Sequence, residues 1–416
     1  MITKIIKSSE KVNPFGGIFF VMNEIKKKGL SKLIDSCLGE RVKQARYSYS
    51  DIILNWIFAN LCGAERLEDI EKIREHFDFK LPSHDRIGGI FKAFATKTKM
   101  LRARKQSKVR HQFNIHKPLN SLMIDIALKL NLLKKNKPYV LDYDNTIIDA
   151  LKHDSTKTYK WSYGYQPGVS FIGKIPVYIE GRNGNSNAET LMCDTLKRCF
   201  DLLDRKGIKI SKFRSDAAAF QYNVIELMEQ RSVKFYIRLV KNHNFIEKVK
   251  NEIKSWNKIV INNCSLEIGT GVYASWRLKN VFKKEYRMVV VRRLKQGKYD
   301  YNAIITNDLK MTPKQVLCFY NQRGAIERNF DTLKNDFNWR RLPFSFLNEN
   351  TVFMIISAMA SIIYEYLIIN FSKKVDFVKR KYRLKNFIYH FIICSVIFRG
   401  EQLEMFTERD YKPLLE

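Results

Sequence analysis

Acid is what this chain of 416 residues lacks most: 42 Asp plus Glu face 74 Lys plus Arg, a formal charge of +32. A compact protein avoids that much self-repulsion unless a polyanion neutralises it, which makes nucleic acid the first partner to test. An anionic membrane surface or an acidic protein also fits the sign. Paired cysteine is missing too. Cys37, Cys62, Cys193, Cys199, Cys264, Cys318 and Cys394 are odd in number and scattered, with no C-x-x-C pair. That pattern argues against both a disulfide framework and a zinc site, and a reducing cytoplasm is the natural compartment. The start, "MITKIIKSSEKVNPFGGIFF", has no uninterrupted apolar region followed by a small-residue cleavage site, so no export signal is expected. Repeats and low-complexity tracts are absent as well. At 45% hydrophobic and 13% aromatic content, the chain is rich enough for sizeable cores in two or three domains.

One apolar run, Thr351 to Phe371, approaches the length of a bilayer span. Glu365 lies inside it, Asn350 and Asn370 flank it, and Ser357, Ala358, Ala360 and Ser361 suit close helix packing. The favoured reading is a helix buried on most sides of a large domain, with no membrane partner.

Residues 1–135 read as a mainly helical, basic domain, with two amphipathic runs hinged near Gly63 and Ser48 or Ser50 as N-caps. From Arg86 to Ile124 there is no acidic residue, and Arg102, Arg104 and Lys105 within that stretch are candidate phosphate contacts. The texture changes near Lys137. "PYVLDYDNTII" and "KIPVYIEG" read as strands, then a helix stops at Gly207. "IKISKFRSD", "AAAFQYNVIELMEQR" and "VKFYIRLV" come next as strand, helix and strand. Such alternation implies an α/β layer with parallel pairing over residues 136–240. Residues 241–311 carry four alternating segments and read as a β-rich insertion. Helix resumes at Thr312, a candidate cap with Pro313 in the first turn, and residues 343–416 read as a helical C-terminal region with a second apolar run from Phe387 to Phe398.

Alternation in "YVLDYDNT" puts Asp142 and Asp144 on one face of an otherwise apolar strand. A carboxylate there is costly unless it ends the strand in water, is paired, or coordinates a cation. "FRSDAAAF" places Asp216 at the end of another strand, where it is either a helix cap or a ligand. Farther on, Tyr320, Arg323, Glu327, Asp331 and Lys334 fall within one stripe of a helix from Tyr320 to Phe337, beside an apolar stripe of Ile326, Phe330, Leu333 and Phe337. Asp, Asp and Glu from strand, strand end and helix are hard oxygen ligands that suit Mg²⁺ or Mn²⁺.

The spacing Y-x2-R-x3-E-x6-K from Tyr320 to Lys334 resembles the signature of cut-and-paste DDE transposases of bacterial insertion sequences. "DNT" at Asp144 resembles their first-acid D-x-T, "RSDAAAF" their second-acid segment, and "EGRNGNSNA" the loop after the third core strand. Ala217 to Ala219 depart from the small polar residue and Gly that relatives often carry. The resemblance covers about Tyr139 to Phe337. It implies an α/β fold with an RNase H-like core split between residues 136–240 and 312–342 by the β insertion, with helical flanks. Asp144, Asp216 and Glu327 are implied as catalytic residues and ligands of Mg²⁺, with Mn²⁺ as substitute; Asp142 ranks behind Asp144 because D-x-T begins at Asp144. Tyr320, Arg323 and Lys334 are implied contacts to DNA. The implied activity is binding of double-stranded terminal inverted repeats, strand cleavage through a hairpin and strand transfer to target DNA, by a homodimer at the nucleoid. A flipped base on Trp256 or Trp276 is a weaker implication, since tryptophans in such strands are more often core residues. A non-catalytic, domesticated DNA-binding relative is the alternative reading. His111, His116, His153 and His243 show no ligand spacing.

Overall fold

The computed structural model describes residues 10–79, 81–102, 106–241, 243–261, 263–274, 284–400 and 402–415, apart from the side chains of residues 243 and 244. Helices Gly17–Lys27, Leu30–Leu38, Tyr49–Leu61, Asp69–Arg74 and His84–Ala93 come first. Ser48 caps Tyr49–Leu61 with a reciprocal box to Asp51, and Gly63 lies just past the helix at a φ of 105°, where the chain turns. Ser50 instead hydrogen-bonds Asp35 on the preceding helix, at 2.7 Å from its hydroxyl.

Strands β1 (Lys99–Leu101) and β2 (His111–Asn114) precede helix Lys117–Lys129. Next come β3 (Pro138–Asn145), β4 (Ile148–Asp149), β5 (Thr156–Lys157), β6 (Tyr163–Tyr165), β7 (Gly168–Ile172) and β8 (Ile175–Arg182). Helix Met192–Arg205 leads to β9 (Lys209–Ser215), and helix Tyr222–Gln230 to β10 (Lys234–Arg238). After helix His243–Glu252 come β11 (Asn257–Ile261), β12 (Cys264–Tyr273), β13 (Tyr286–Lys295) and β14 (Lys298–Thr306). Among the described residues one sheet of eleven strands runs in the order β1-β2-β8-β7-β3-β9-β10-β14-β13-β12-β11. β3 and β9 are parallel, as are β9 and β10, each joined by a crossover that contains a helix. The other neighbours are antiparallel, so β11 to β14 extend the same sheet beyond β10.

Helix Leu347–Lys374 is the spine of the core and packs on β8 and on helix Lys117–Lys129. By length and composition it is able to cross a membrane, yet 83% of its apolar window is buried inside the fold. Close approach to the sheet depends on Gly181 of β8: a Cβ there would lie 2.0 Å from the Thr351 hydroxyl. Beneath it Glu180, fully buried, accepts hydrogen bonds from Arg198 at 3.0 and 3.1 Å and from the Thr195 hydroxyl at 2.6 Å. Those bonds fasten helix Met192–Arg205 to the strand.

Two segments differ from the helical reading. β2 joins the sheet because Phe113 is buried under the Arg182 guanidinium, 4.8 Å from its ring, a contact made by a strand almost 70 residues away. The run Phe387 to Phe398 divides into helix Leu384–Phe387, a π turn Ile388–Ile392 and β15 (Ser395–Arg399), which pairs with β16 (Gln402–Phe406). There Asn13 bonds Val396 through the backbone at 2.8 and 2.9 Å, so the N-terminal segment draws the chain out of helix.

Gly181→Val should force the helix off the sheet and lower stability by about 1–3 kcal/mol, the usual cost of overpacking. Urea unfolding followed by circular dichroism measures it, and a midpoint equal to the parent's would rule out this close approach.

Candidate active site

The parallel ends of β3 and β9 build the site. Register sets Asp142 opposite Arg214; two residues on, it carries Asp144 at the end of β3 beside Asp216, the residue just after the end of β9. Adjacent strands lie about 4.8 Å apart, so the two carboxylates are near neighbours. Asp216 caps the 3₁₀ turn Ala217–Ala219 by accepting from the Ala218 amide at 3.0 Å, which leaves its second oxygen for other partners. The cap and the ligand readings of Asp216 are therefore compatible.

Asp142 has a different occupation. Its two oxygens accept from Arg214 Nε and Nη2, each at 2.7 Å, in a buried fork. Burial pushes its carboxyl up, and Arg214 pulls it back. The same guanidinium donates from Nη1 to the Phe319 carbonyl at 2.7 Å and lies over the Phe319 ring at 4.8 Å. Arg214 thus ties β3 and β9 to the last turn of helix Pro313–Asn321, which Thr312 caps as expected. Asp144 also has both oxygens engaged, Oδ1 by the Asn145 amide at 2.8 Å and Oδ2 by Arg323, but no single guanidinium grips the two together as Arg214 grips Asp142.

Asp144 is in a more strained electrostatic position. Burial pushes its carboxyl up to about 6, against the pull of Arg323 and with a further push from the Asp216 charge. Arg323 Nη2 donates to Asp144 Oδ2 at 2.7 Å. Tyr320 is half-buried in the same field, close enough to Arg323, Arg238, Asp216 and Asp144 for their charges to act on its phenol, which burial raises. The structure therefore brings together Asp144, Asp216, Tyr320 and Arg323.

Glu327 and Lys334 stand apart from that group. The continuous helix expected from Tyr320 to Phe337 is broken: Pro313–Asn321 ends, a 3₁₀ turn spans Gln322–Gly324, and Ala325–Asn335 begins anew. A 3₁₀ turn winds faster, at three residues per turn, so the stripe drawn for an ideal α-helix is displaced across it. Arg323, in the turn, faces Asp144, while Glu327 is exposed in the first turn of the next helix. Among the described residues no three His, Cys, Asp or Glu side chains could hold a metal ion together. Lys334 is half-buried two turns on, where burial lowers its ammonium pKa, with Arg340 and Lys160 acting the same way.

Of the remaining candidates, Arg102 is exposed, while Arg104 and Lys105 lie outside the described residues. Trp276 also lies outside them. Trp256 is covered by the Arg292 guanidinium, 4.0 Å from its ring centre, as its core reading suggests. His116 caps helix Lys117–Lys129 through Nδ1 and meets the Phe94 carbonyl at 2.8 Å, a structural role.

Two groups near the site were not singled out from sequence. Arg214 sits two residues before Asp216, on the same strand face, which was the available signal. Arg238, at the end of β10, lines a cleft of about 340 Å³ with Tyr320, Arg293 and Lys295.

As a home for a divalent cation, the pair Asp144 and Asp216 fits in donor type and charge: two carboxylates whose mutual repulsion a cation would relieve. Arg323 supplies part of that relief. A family model described as transposase DDE domain group 1 matches residues 8–382. Among solved structures the chain is similar to a piggyBac transposase synaptic complex with hairpin DNA determined by cryo-EM. That likeness has 10% identity and a TM-score of 0.45, and covers 90% of this chain and 78% of that one. No curated protein matches the chain in sequence.

Two outcomes check this geometry. Arg214→Ala should destabilise by about 3–5 kcal/mol, since it strands a buried carboxylate, and Arg214→Met with Asp142→Leu should recover much of the loss; equal losses would show that Arg214 is not held by Asp142. The second concerns pH. Because the folded Asp144 carboxyl titrates near 6, above its ordinary value of 3.8, it costs the fold stability once ionised, and that cost grows as pH rises between those values. Asp144→Asn should therefore gain on the parent between pH 4 and 7.5 in urea midpoint, and a difference that is flat with pH would contradict the burial assigned to Asp144.

Proposed function

The chain belongs to the transposase DDE domain group 1 family, and from that premise we propose that it is the DNA transposase of a bacterial insertion sequence. In this reading it binds double-stranded terminal inverted repeats, cleaves them through a hairpin and joins them to target DNA. The observation that carries the reading is the coupled pair Asp144 and Asp216 at neighbouring parallel strand ends, with Asp144 raised by burial and by the Asp216 charge. Ends of parallel strands in α/β sheets are where such sites assemble. An RNase H-like core is part of the proposal, and the order β8-β7-β3-β9-β10 with β3, β9 and β10 parallel supports it. So are the divisions 1–135 for end binding, 136–240 and 312–342 for the core, 241–311 for the insertion and 343–416 for the C-terminal region.

Asp144 and Asp216 are the proposed holders of Mg²⁺, or of Mn²⁺ in its place. A divalent ion there supplies charge stabilisation to a phosphodiester oxygen during in-line displacement. Arg323 neutralises Asp144 while the site is empty of DNA and is placed to turn to a phosphate as strands arrive. Tyr320 restricts water at the same spot and offers its phenol to the backbone. Glu327, free among the described residues, is the third carboxylate of the proposal and joins the pair only with DNA bound. Action as a homodimer on nucleoid DNA in the cytoplasm, without a membrane partner, completes the reading.

A non-catalytic DNA-binding role is the second reading, and the exposed position of Glu327 favours it. A cleavage assay on the flanking repeats with Mg²⁺ separates the two. Glu327→Gln should abolish strand cleavage and leave end binding within about twofold, because the amide keeps shape but loses charge. Parent protein that binds the ends without cutting them would establish the second reading instead.

A further inference from the structure

Between β5 and β6 the chain makes a tight tip, Thr158 to Ser162, whose sequence "TYKWS" interleaves aromatics with lysine. Thr158, buried, organises it. Its amide donates to the Ser162 carbonyl at 2.8 Å, its carbonyl accepts from the Trp161 amide at 3.0 Å, and its hydroxyl accepts from the Lys160 amide at 3.2 Å. That turn holds Trp161 at a φ of 66°, an outlying conformation for a bulky side chain, with 81% of its surface exposed. Tyr159 and Tyr163 are exposed beside it at 66% and 46%. Backbone strain and an uncovered indole both cost stability, and the fold gains no packing from either.

The tip stands next to a basic cleft. Lys160 and Arg340 are close enough to Lys334 for their charges to act on it, and the cleft that Lys334 and Arg340 line also holds Lys385. Arg341 there is paired with Glu65, and Arg383 with Asp331 and Asp336. Lys334, Arg340 and Lys385 have no such bonded acid among the described residues, although the charges of Asp149, which accepts from the Ser162 hydroxyl of the tip at 2.5 Å, and of Asp331 act on Lys334. A flat apolar face beside a cluster in which cations outnumber acids matches one chemistry above others, a polyanion that exposes flat rings. In duplex DNA the ring faces are stacked away, so only unpaired nucleotides present them.

We propose that the Thr158–Ser162 tip is a stacking platform for unpaired nucleotides of DNA, with Trp161 and Tyr159 receiving bases while Lys160, Lys334 and Arg340 hold the adjoining phosphates. The inference rests on the transposase reading for why unpaired DNA occurs here, and it assigns a surface outside the carboxylate site.

Binding of a labelled twelve-nucleotide oligo-dT and of a duplex of equal length to the full chain, by fluorescence anisotropy, tests it. Trp161→Ala should weaken oligo-dT binding roughly tenfold, the scale of one lost stacking contact, and change duplex binding less than about twofold. Trp161→Phe should keep most of the affinity. Oligo-dT should also quench parent tryptophan fluorescence, a readout that needs no folded variant, and unchanged fluorescence at saturation overturns the proposal. Equal losses on both ligands, or no loss on either, overturn it as well. Normal repeat cleavage by a parent whose oligo-dT affinity ignores Trp161 sinks this inference alone. A Trp161-dependent oligo-dT affinity in a parent that cuts no DNA sinks the cleavage reading alone.

Discussion

The buried fork between Arg214 and Asp142 is the constraint that sets the layout of the site. One guanidinium satisfies a carboxylate on β3, a carbonyl at the end of helix Pro313–Asn321 and the face of Phe319. A buried ion pair seldom adds net stability over apolar packing, but an unpaired member of one is severe, so each partner enforces the position of the other. The two strands are thereby fixed in register and the helix end is fixed above them. Asp144, Asp216 and the Gln322–Gly324 turn, each only a few residues beyond one of these anchors, have little freedom left.

Charge compensation then separates two acids that look equivalent. Asp142 is neutralised by a residue of the neighbouring strand and serves the fold. Asp144 is neutralised by Arg323, which lies in a short turn between two helices and whose Nε has no partner among the described residues. A contact made from such a turn is easier to exchange than one made across a sheet. The proposed function would give that difference a use, because phosphates of DNA are able to take a guanidinium.

Much of this was legible in the residues, and the limits fall along a physical line. Caps at Ser48 and Thr312, the stop at Gly207 and the alternation in β3 and in β11 to β14 are local, set by neighbours within a few positions, and sequence carried them. Asp144 and Asp216 were readable as acids at strand ends, which are also local, whereas Tyr320 and Arg323 stood out through the resemblance of their spacing to a family signature. The misses depend on distant partners. β2 exists because Arg182 covers Phe113, and the C-terminal hairpin begins where Asn13 reaches Val396. The break at Gln322–Gly324 follows the helix end whose Phe319 carbonyl Arg214 binds, and no periodicity in the segment announces it. Trp161 was hidden for another reason: exposure of an aromatic is invisible in a string of letters.

Among the described residues the eleven-stranded sheet ends at β1 and β11. β1 has three residues, and β11 carries Asn257 and Lys258 at its start. A three-residue strand at one margin and a lysine at each make poor templates for annealing with a neighbour's strand. The width of the sheet therefore does not invite fibrillar growth.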